Sequence, residues 1–305
     1  MFRLIIFISF VLSQNLFSAP IFWGFGLEGY PILEPRIQEL IQQTTLQPQL
    51  ISFYLQWPKL PQDKQESPTL TLESIWKYGA VPCMTWEPTN IPAEQILNGN
   101  YDIYITNMAQ TIKSFAKPMM MRFAHEMNLK AYHWGTDKEH YDSHSPETYV
   151  KLFKYVVELF KKNQVINALW AFCPNVDSVP PDKWNLVLSY YPGDDYVDLL
   201  GMDGYNWGTP SRSFETIFTP IYNQLKKMSS EKPIIVFETA TVGSSKEKIQ
   251  WINEAIATSQ KWKLQGIIWF QVNKEKDWRL LPTPNDDLSS IRKATSSSQD
   301  RFQLY

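Results

Sequence analysis

The sequence predicts an α/β protein whose architecture is an eight-stranded parallel (β/α) TIM barrel. Eight short apolar runs alternate with polar or amphipathic segments, and two of the runs end in a glutamate. The length of 305 residues suits one such barrel, for which about 250 residues are typical. The apolar runs cover residues 22–27, 50–57, 81–86, 118–123, 167–172, 196–202, 233–237 and 266–272.

Helices are expected between these runs. In the segment 146–162, for example, Val150, Phe153 and Val157 recur at helical spacing. Eight repeats of strand and helix favour a closed barrel over an open, doubly wound sheet, and no low-complexity linker divides the chain. We therefore predict one barrel domain over residues 20–305. The clearest helical segments are residues 101–115, 146–162, 214–228 and 246–259.

The N-terminus has the pattern of an export signal. Arg3 precedes residues 4–12, which are apolar except for Ser9 and too few to span a bilayer comfortably. We predict a signal peptide over residues 1–19, with its cleavage point left open, and an uncleaved anchor or a buried first strand as alternatives. The expected product is a secreted or periplasmic monomer with no membrane association after signal cleavage.

Charge and cysteine content narrow the class of protein. The formal net charge of -2 provides no basic surface for nucleic acid, so we expect no nucleic-acid partner. Cys83 and Cys173 each fall in a predicted strand, and the fourth strand lies between the two. That arrangement separates their backbones by about 9 to 10 Å, which exceeds disulfide reach. Two free, buried thiols are predicted rather than a bridge.

Polar and aromatic residues gather where the predicted strands end. Glu126 and Glu238 terminate the fourth and seventh runs, and ligand sites of β/α barrels form at that end of the strands. A pair of carboxyl groups is what glycosidic-bond hydrolysis requires, and aromatic faces with amides suit the binding of sugars. The other residues at this rim are Trp57, Trp86, Glu87, His125, Asn175, Asp177, Asp203, Tyr205, Trp207 and residues 269–273, which include Trp269 and Phe270.

Alternation along the fourth strand assigns its side chains to faces. Arg122, Ala124 and Glu126 should point to one side, so we expect Arg122 beneath Glu126, where it supplies positive charge. His125 has the opposite parity. It can join the same site only if a bulge or bend interrupts the end of the strand.

Several linked motifs resemble glycoside hydrolase family 26. They are RFAHEMN at residues 122–128, HWG at 133–135, TWEP at 85–88, DGYNWG at 203–208 and WFQVNKEKDWR at 269–279. The resemblance extends from about Trp23 to Arg279. It implies a retaining, endo-acting hydrolase of a β-linked polysaccharide or oligosaccharide on an eight-stranded barrel, with no cofactor.

The resemblance also implies roles for individual residues. Glu126 would be the acid/base and Glu238 the nucleophile, with His125 and Tyr205 in contact with the nucleophile. Asp203, Trp134 and Trp269 would help to hold sugar rings. Residues 129–132 and Thr239 depart from the family pattern, which bears on subsite shape. The first substrate prediction is β-1,4-mannan, with mixed-linkage β-glucan (a lichenase activity) or β-1,3-xylan as alternatives.

Two hypotheses from other classes remain open. A carbohydrate-binding barrel that has lost catalysis is one, although the intact Glu126 and Glu238 argue against it. A metal-dependent hydrolase is the other, because four histidines lie in one stretch. No second histidine follows His125 at the spacing of a zinc-protease helix, so we predict no metal site. The four are His125, His133, His140 and His144.

Overall fold

The computed structural model describes residues 21–295, so the predicted signal peptide at residues 1–19 lies outside the described residues. Within the described range, eight parallel strands pair in chain order and close into a barrel, which confirms the predicted fold. The strands are β1 Phe22–Gly26, β2 Leu50–Gln56, β3 Val81–Glu87, β4 Met119–Phe123, β5 Ala168–Phe172, β6 Leu199–Asn206, β7 Ile234–Thr241 and β8 Gly266–Phe270.

Helices connect most of the strands. Ser244 begins the seventh helix with a capping box, in which its hydroxyl and the Glu247 carboxylate each bond the other's main-chain N–H. Two short 3₁₀ turns, Val187–Tyr190 and Asp194–Tyr196, occupy the connection between β5 and β6. No described helix has the length and apolar character needed to cross a membrane. The helices are α1 Glu34–Thr44, α2 Thr69–Lys77, α3 Ala93–Leu97, α4 Asp102–Phe115, α5 Ser145–Lys162, α6 Phe214–Met228, α7 Ser245–Trp262 and α8 Ser289–Thr295.

Side-chain alternation along the strands produces two apolar layers. One set of side chains fills the barrel interior, while the other packs against the surrounding helices. Cys83 and Cys173 belong to the interior set, and both are free and buried, as predicted. The interior set comprises Leu50, Val81, Cys83, Met120, Ala171, Cys173, Leu199, Ile235, Phe237 and Ile268.

Two strands continue past the apolar runs that predict them. β6 extends to Asn206 and β7 to Thr241, so Asp203 and Glu238 lie inside strands rather than after them. The two acidic residues are register partners on neighbouring strands. A hydrophobic run ends at the first charged residue, whereas main-chain pairing continues. The predicted ends were therefore too early.

Candidate active site

A bend after β4 places two consecutive side chains at the barrel mouth. Ala124 and Glu126 adopt left-handed backbone angles, with φ of 47° and 51°. The Glu126 main-chain N–H donates to the Cys173 carbonyl at 2.8 Å, which fixes the bend against the end of β5. Left-handed conformations are uncommon for residues other than glycine and often mark functional sites. The bend directs the His125 side chain into the site, although its strand parity is opposite to that of Glu126.

A bulge in β7 orients the second glutamate. Met202 pairs with Val236, but the next residue of β6, Asp203, pairs with Glu238, so Phe237 is one extra residue in β7. Phe237 packs inside the barrel, and simple alternation would turn Glu238 outward. Because a bulge changes the direction of the following side chain, the Glu238 carboxyl reaches the cavity at the barrel mouth.

Three side chains donate hydrogen bonds to the Glu238 carboxylate. The Tyr54 hydroxyl donates to Oε1 at 2.6 Å, Arg122 donates to the same oxygen, and Tyr205 donates to Oε2. Burial alone would raise the pKa of Glu238, but the positive charge of Arg122, with the tyrosine hydrogen bonds, lowers that pKa to about 2. Glu238 is therefore ionised at neutral pH.

Arg122 lies at the centre of a buried charge cluster. Its guanidinium donates to Asp203 Oδ2 at 2.7 Å and to Thr85 Oγ1 at 2.9 Å, besides its bond to Glu238. Burial raises the pKa of Asp203 against the pull of Arg122, and the negative charge of Glu238 raises it further. One guanidinium thus faces two buried carboxyl groups, Asp203 and Glu238. Arg122 supplies the positive charge expected from strand parity.

Glu126 has the opposite electrostatic environment. Burial and then the negative charge of Glu238 raise the pKa of Glu126 to about 7. A hydrogen bond from Asn175 Nδ2 to Glu126 Oε1, at 2.5 Å, limits the rise. The two carboxyl groups therefore differ in protonation below about pH 7, where Glu126 holds a proton in most molecules and Glu238 is ionised. This separation of pKa values is typical of an acid and a nucleophile that share one site.

His125 and Trp134 line the wall of the site. His125 Nε2 lies 3.9 Å from Glu238 Oε1, and Nδ1 lies 3.7 Å from Glu87 Oε1. Burial, followed by the charge of Arg122, lowers the pKa of His125 to about 3, so the ring is neutral. The indole N–H of Trp134 donates to the His125 carbonyl at 2.5 Å. Both residues are at the predicted place, and sugar stacking by Trp134 stays a prediction.

Asp203 and Trp269 occupy positions that differ from the expectation of direct sugar contact. Trp269 is fully buried on the outward face of β8, where it stacks near Trp23 with ring centroids 6.5 Å apart. The inward residue at the end of β8 is Phe270, which lines the cavities. Asp203 is also fully buried and bonded to Arg122. Neither residue has a surface that a sugar can reach, so this part of the prediction was wrong.

Two cavities meet at the paired glutamates. The β3-side cavity, of about 420 Å³, and the β6-side cavity, of about 250 Å³, are both open grooves at the barrel mouth. The β3-side cavity is lined by Glu28, Tyr54, Gln56, Glu87, His125 and Trp134, among others. The β6-side cavity is lined by Glu126, Asn175, Asp177, Tyr205, Trp207, Arg212 and Trp278, among others. Tyr132, Glu238, Phe270 and Lys274 line both.

Several of these residues were absent from the predicted site. Tyr54 is the clearest case, because Ser52, Tyr54 and Gln56 are the polar members of one face of β2. That alternation is a sequence signal for a polar side chain directed into the barrel. No comparable signal marks Tyr132, which lies in an irregular loop. The residues missed include Tyr54, Gln56 and Tyr132, whereas Asn175 and Phe270 were among the predicted rim residues.

The geometry bears on the metal hypothesis in two ways. His140 and His144 are exposed and paired with Asp137 and Asp142, whereas His125 is buried. Among described residues, potential ligand atoms do converge within 4.8 Å at one place, which joins His125, Asp203 and Glu238. The Arg122 guanidinium already bonds both carboxylates there, and a fixed positive charge opposes a cation. This donor set does not fit a metal site.

The fold and the site together define a β/α barrel with two buried carboxyl groups of contrasting protonation at the ends of strands four and seven. A family model described as Glycosyl hydrolase family 26 matches residues 86–280. The chain belongs to this family.

Relatives with established names are similar over parts of their length. Endoglucanase H of Acetivibrio thermocellus is 36% identical over 233 residues, which is 73% of this chain and 25% of that protein. A mannan endo-1,4-beta-mannosidase of Bacillus subtilis strain 168 is 25% identical over 162 residues, covering 44% of this chain and 42% of the relative. The matches thus span well under two thirds of these relatives.

Solved structures agree with the barrel fold. The structure of Bacillus subtilis mannanase BCman superposes with a TM-score of 0.66, covering 94% of this chain and 87% of that one at 16% identity. A mannanase from Bacteroides ovatus gives a TM-score of 0.62 at 18% identity, with coverage of 94% and 90%. At such low identity the likeness concerns the fold alone.

Proposed function

We propose that this chain is a retaining endo-β-glycanase in which Glu126 is the acid/base and Glu238 the nucleophile. The observation that carries the proposal is the contrast between two buried carboxyl groups on one cavity, with the pKa of Glu126 raised to about 7 and that of Glu238 lowered to about 2. Double displacement needs one protonated and one ionised carboxyl group in the free enzyme.

In the first step, Glu238 attacks the anomeric carbon while the C–O bond to the leaving sugar breaks. The Glu126 proton goes to the departing oxygen, and Glu238 becomes a glycosyl ester. In the second step, Glu126 removes a proton from water, and the resulting nucleophile displaces Glu238 from the anomeric carbon. Net retention of configuration follows from two inversions.

The same electrostatics explain how Glu126 changes its role. The charge of Glu238 raises the pKa of Glu126 in the free enzyme. That charge disappears when Glu238 forms the ester, so the pKa of Glu126 falls and its carboxylate becomes the favoured form. Arg122 and the hydroxyls of Tyr54 and Tyr205 hold Glu238 in place for both steps.

Two β-linked backbones are candidates for the substrate. The motif resemblance and the names of the mannanase relatives favour β-1,4-mannan, which is our first proposal. A β-glucan is the second, because the relative with 36% identity over 73% of the chain is named an endoglucanase. Mannose and glucose units differ only in configuration at C2, whereas the bond that breaks is at C1. Hydrolysis of either backbone therefore requires the same acid/base and nucleophile.

A polysaccharide panel tests the activity and the substrate together. Reducing-end release should be measured on mannan, glucomannan, lichenan, carboxymethylcellulose and β-1,3-xylan, while NMR follows the anomeric configuration of the first product. We expect rapid release from mannan or a β-glucan and an initial β-anomer. An initial α-anomer would contradict double displacement. Binding without release on the whole panel would favour a non-catalytic carbohydrate-binding barrel.

The pH dependence of kcat/KM should be bell-shaped. Activity requires ionised Glu238 and protonated Glu126, so it should rise as pH increases through about 2 and fall above about 7. Asn175→Ala removes a hydrogen bond that lowers the pKa of Glu126, so the upper limb should move to higher pH. Rates between pH 4 and pH 9 measure this shift, and a limb that stays in place would refute the assignment to Glu126.

We also propose that the chain is exported, because a polymeric glycan acts as substrate outside the cytoplasm. The support is the N-terminal pattern of Arg3 followed by the apolar residues 4–12. N-terminal sequencing of protein recovered from the periplasm or the medium tests the proposal. A full-length chain retained in the cell would contradict it.

A further inference from the structure

The two cavities differ in their relation to the paired glutamates. Glu238 lines both, whereas Glu126 lines the β6-side cavity and does not line the β3-side cavity. Asn175, which bonds Glu126, lines the β6-side cavity as well. The proton donor therefore faces one groove, and the nucleophile stands at the junction of the two.

This asymmetry gives a substrate a direction, if the proposed function holds. The general acid must lie beside the oxygen that leaves, and that oxygen remains with the reducing-end fragment of the glycan. The leaving fragment therefore occupies the β6-side cavity. The sugar attacked by Glu238 sits at the junction, and the units on its non-reducing side extend into the β3-side cavity.

The β6-side cavity contains an exposed indole. Trp207 is 48% exposed, and it is the one exposed large apolar side chain in residues 21–295 that lines either cavity. Its ring meets Trp278 edge to face, with centroids 4.9 Å apart and planes at 85°, and it lies 6.1 Å from Tyr205. Trp278 is buried, so it supports Trp207 from behind. The ring of Trp207 is held in place while one face stays accessible.

Polar side chains surround this indole. Asp177, Arg212 and Lys274 line the same cavity and provide acceptors and donors for hydroxyl groups. A flat apolar ring bordered by such groups matches a pyranose, which has apolar C–H faces and an equatorial belt of hydroxyls. The surroundings suit a neutral sugar better than a purely apolar ligand.

We propose that Trp207 is the platform on which the leaving-group sugar stacks, so that the glycan lies with its reducing end over the β6-side cavity. Trp207 is then a specificity-determining residue for the sugar beyond the scissile bond. The expected effect on cleavage rests on the proposed function. The expected effect on sugar affinity does not require that the chain cleaves the sugar.

The first test measures how the substitution depends on the leaving group. Trp207→Ala should lower kcat/KM on the polysaccharide about tenfold more than on a disaccharidyl β-fluoride, whose leaving group is too small to reach the indole. Trp207→Phe should recover most of the loss. Trp184→Ala is the matched control, because Trp184 is a half-buried tryptophan that lines neither cavity. Equal losses on both substrates would overturn the proposal.

The second test follows each cut of one substrate separately. When a hexasaccharide labelled with ¹⁸O at its reducing end is cleaved, Trp207→Ala should slow every cut by a similar factor, because each productive binding mode places the leaving-group sugar on the indole. A loss confined to cuts that leave two or more units on the non-reducing side would mean that the glycan lies the other way. Unchanged rates of all cuts would remove Trp207 from the binding site.

A binding measurement separates this proposal from the proposed function. Calorimetry with a hexasaccharide should show about tenfold weaker binding to Glu238→Ala/Trp207→Ala than to Glu238→Ala alone. Equal affinities would refute the platform even in an active enzyme. If the wild-type chain bound the sugar but cleaved nothing, the proposed function would fail while the platform survived.

Discussion

Glu238→Ala should lower polysaccharide hydrolysis by about 10⁴-fold or more, on the scale seen when an essential catalytic group is removed. The reason is that, in the proposed mechanism, the variant cannot form the glycosyl ester and no other positioned nucleophile replaces Glu238. Oligosaccharide binding should remain, since both cavities keep their other walls. Initial rates on the best panel substrate, together with calorimetry, measure the two effects.

Added azide distinguishes the roles of the two glutamates. With a substrate that carries an activated leaving group, Glu238→Ala should yield an α-glycosyl azide, because azide attacks from the face that Glu238 vacates. Glu126→Ala should yield the β-azide, because azide then attacks the ester on Glu238. Glu28→Ala, which removes an exposed carboxylate from the β3-side cavity, is the control and should yield neither. Reversed products would exchange the assignments.

Arg122→Met should destabilise the fold by about 3–5 kcal/mol, because it leaves two buried carboxyl groups without their cation. Denaturant unfolding at pH 7 measures the loss. Activity should also fall, since the charge that keeps Glu238 ionised is removed. The control is Lys77→Met, which breaks an exposed pair with Glu34 and should leave the unfolding midpoint nearly unchanged.

The pH dependence of this destabilisation identifies its cause. In the wild type the folded-state pKa of Glu238 is depressed, so its stabilising contribution is present above its unfolded pKa and is lost as pH falls toward about 2. Without Arg122, burial dominates and raises that pKa, so the variant becomes less stable as pH rises. The difference between variant and wild type should therefore be larger at pH 7 than at pH 4. An equal difference at both would indicate lost packing instead.

The barrel and the meeting of Glu126 and Glu238 at one cavity were predictable because they follow from local patterns. Runs of apolar residues indicate the strands, and a glutamate at the end of such a run is read directly from the sequence. The direction of each side chain was harder to predict. For Trp269, the family resemblance indicated the sugar site, whereas alternation with the inward Ile268 and Phe270 assigns its side chain to the outward face of β8.

Other parts of the site depend on interactions that one stretch of sequence does not contain. Glu238 points inward because β7 gains a residue relative to β6, and that register is a property of the strand pair. Ala124 and Glu126 adopt left-handed conformations although neither is a glycine, so the sequence contains no signal for this bend. Tyr132 meets Glu126 through an irregular loop. Such features arise from tertiary packing, so propensity and periodicity do not predict them.

The position of Glu126 on the β6-side cavity also determines which molecule completes the proposed cycle. After the first product departs, the molecule that Glu126 deprotonates must enter the space which that product has vacated. A free sugar retained there competes with water for the glycosyl group, and its capture lengthens a chain instead of ending one. The occupancy of that groove therefore sets the partition between hydrolysis and glycosyl transfer.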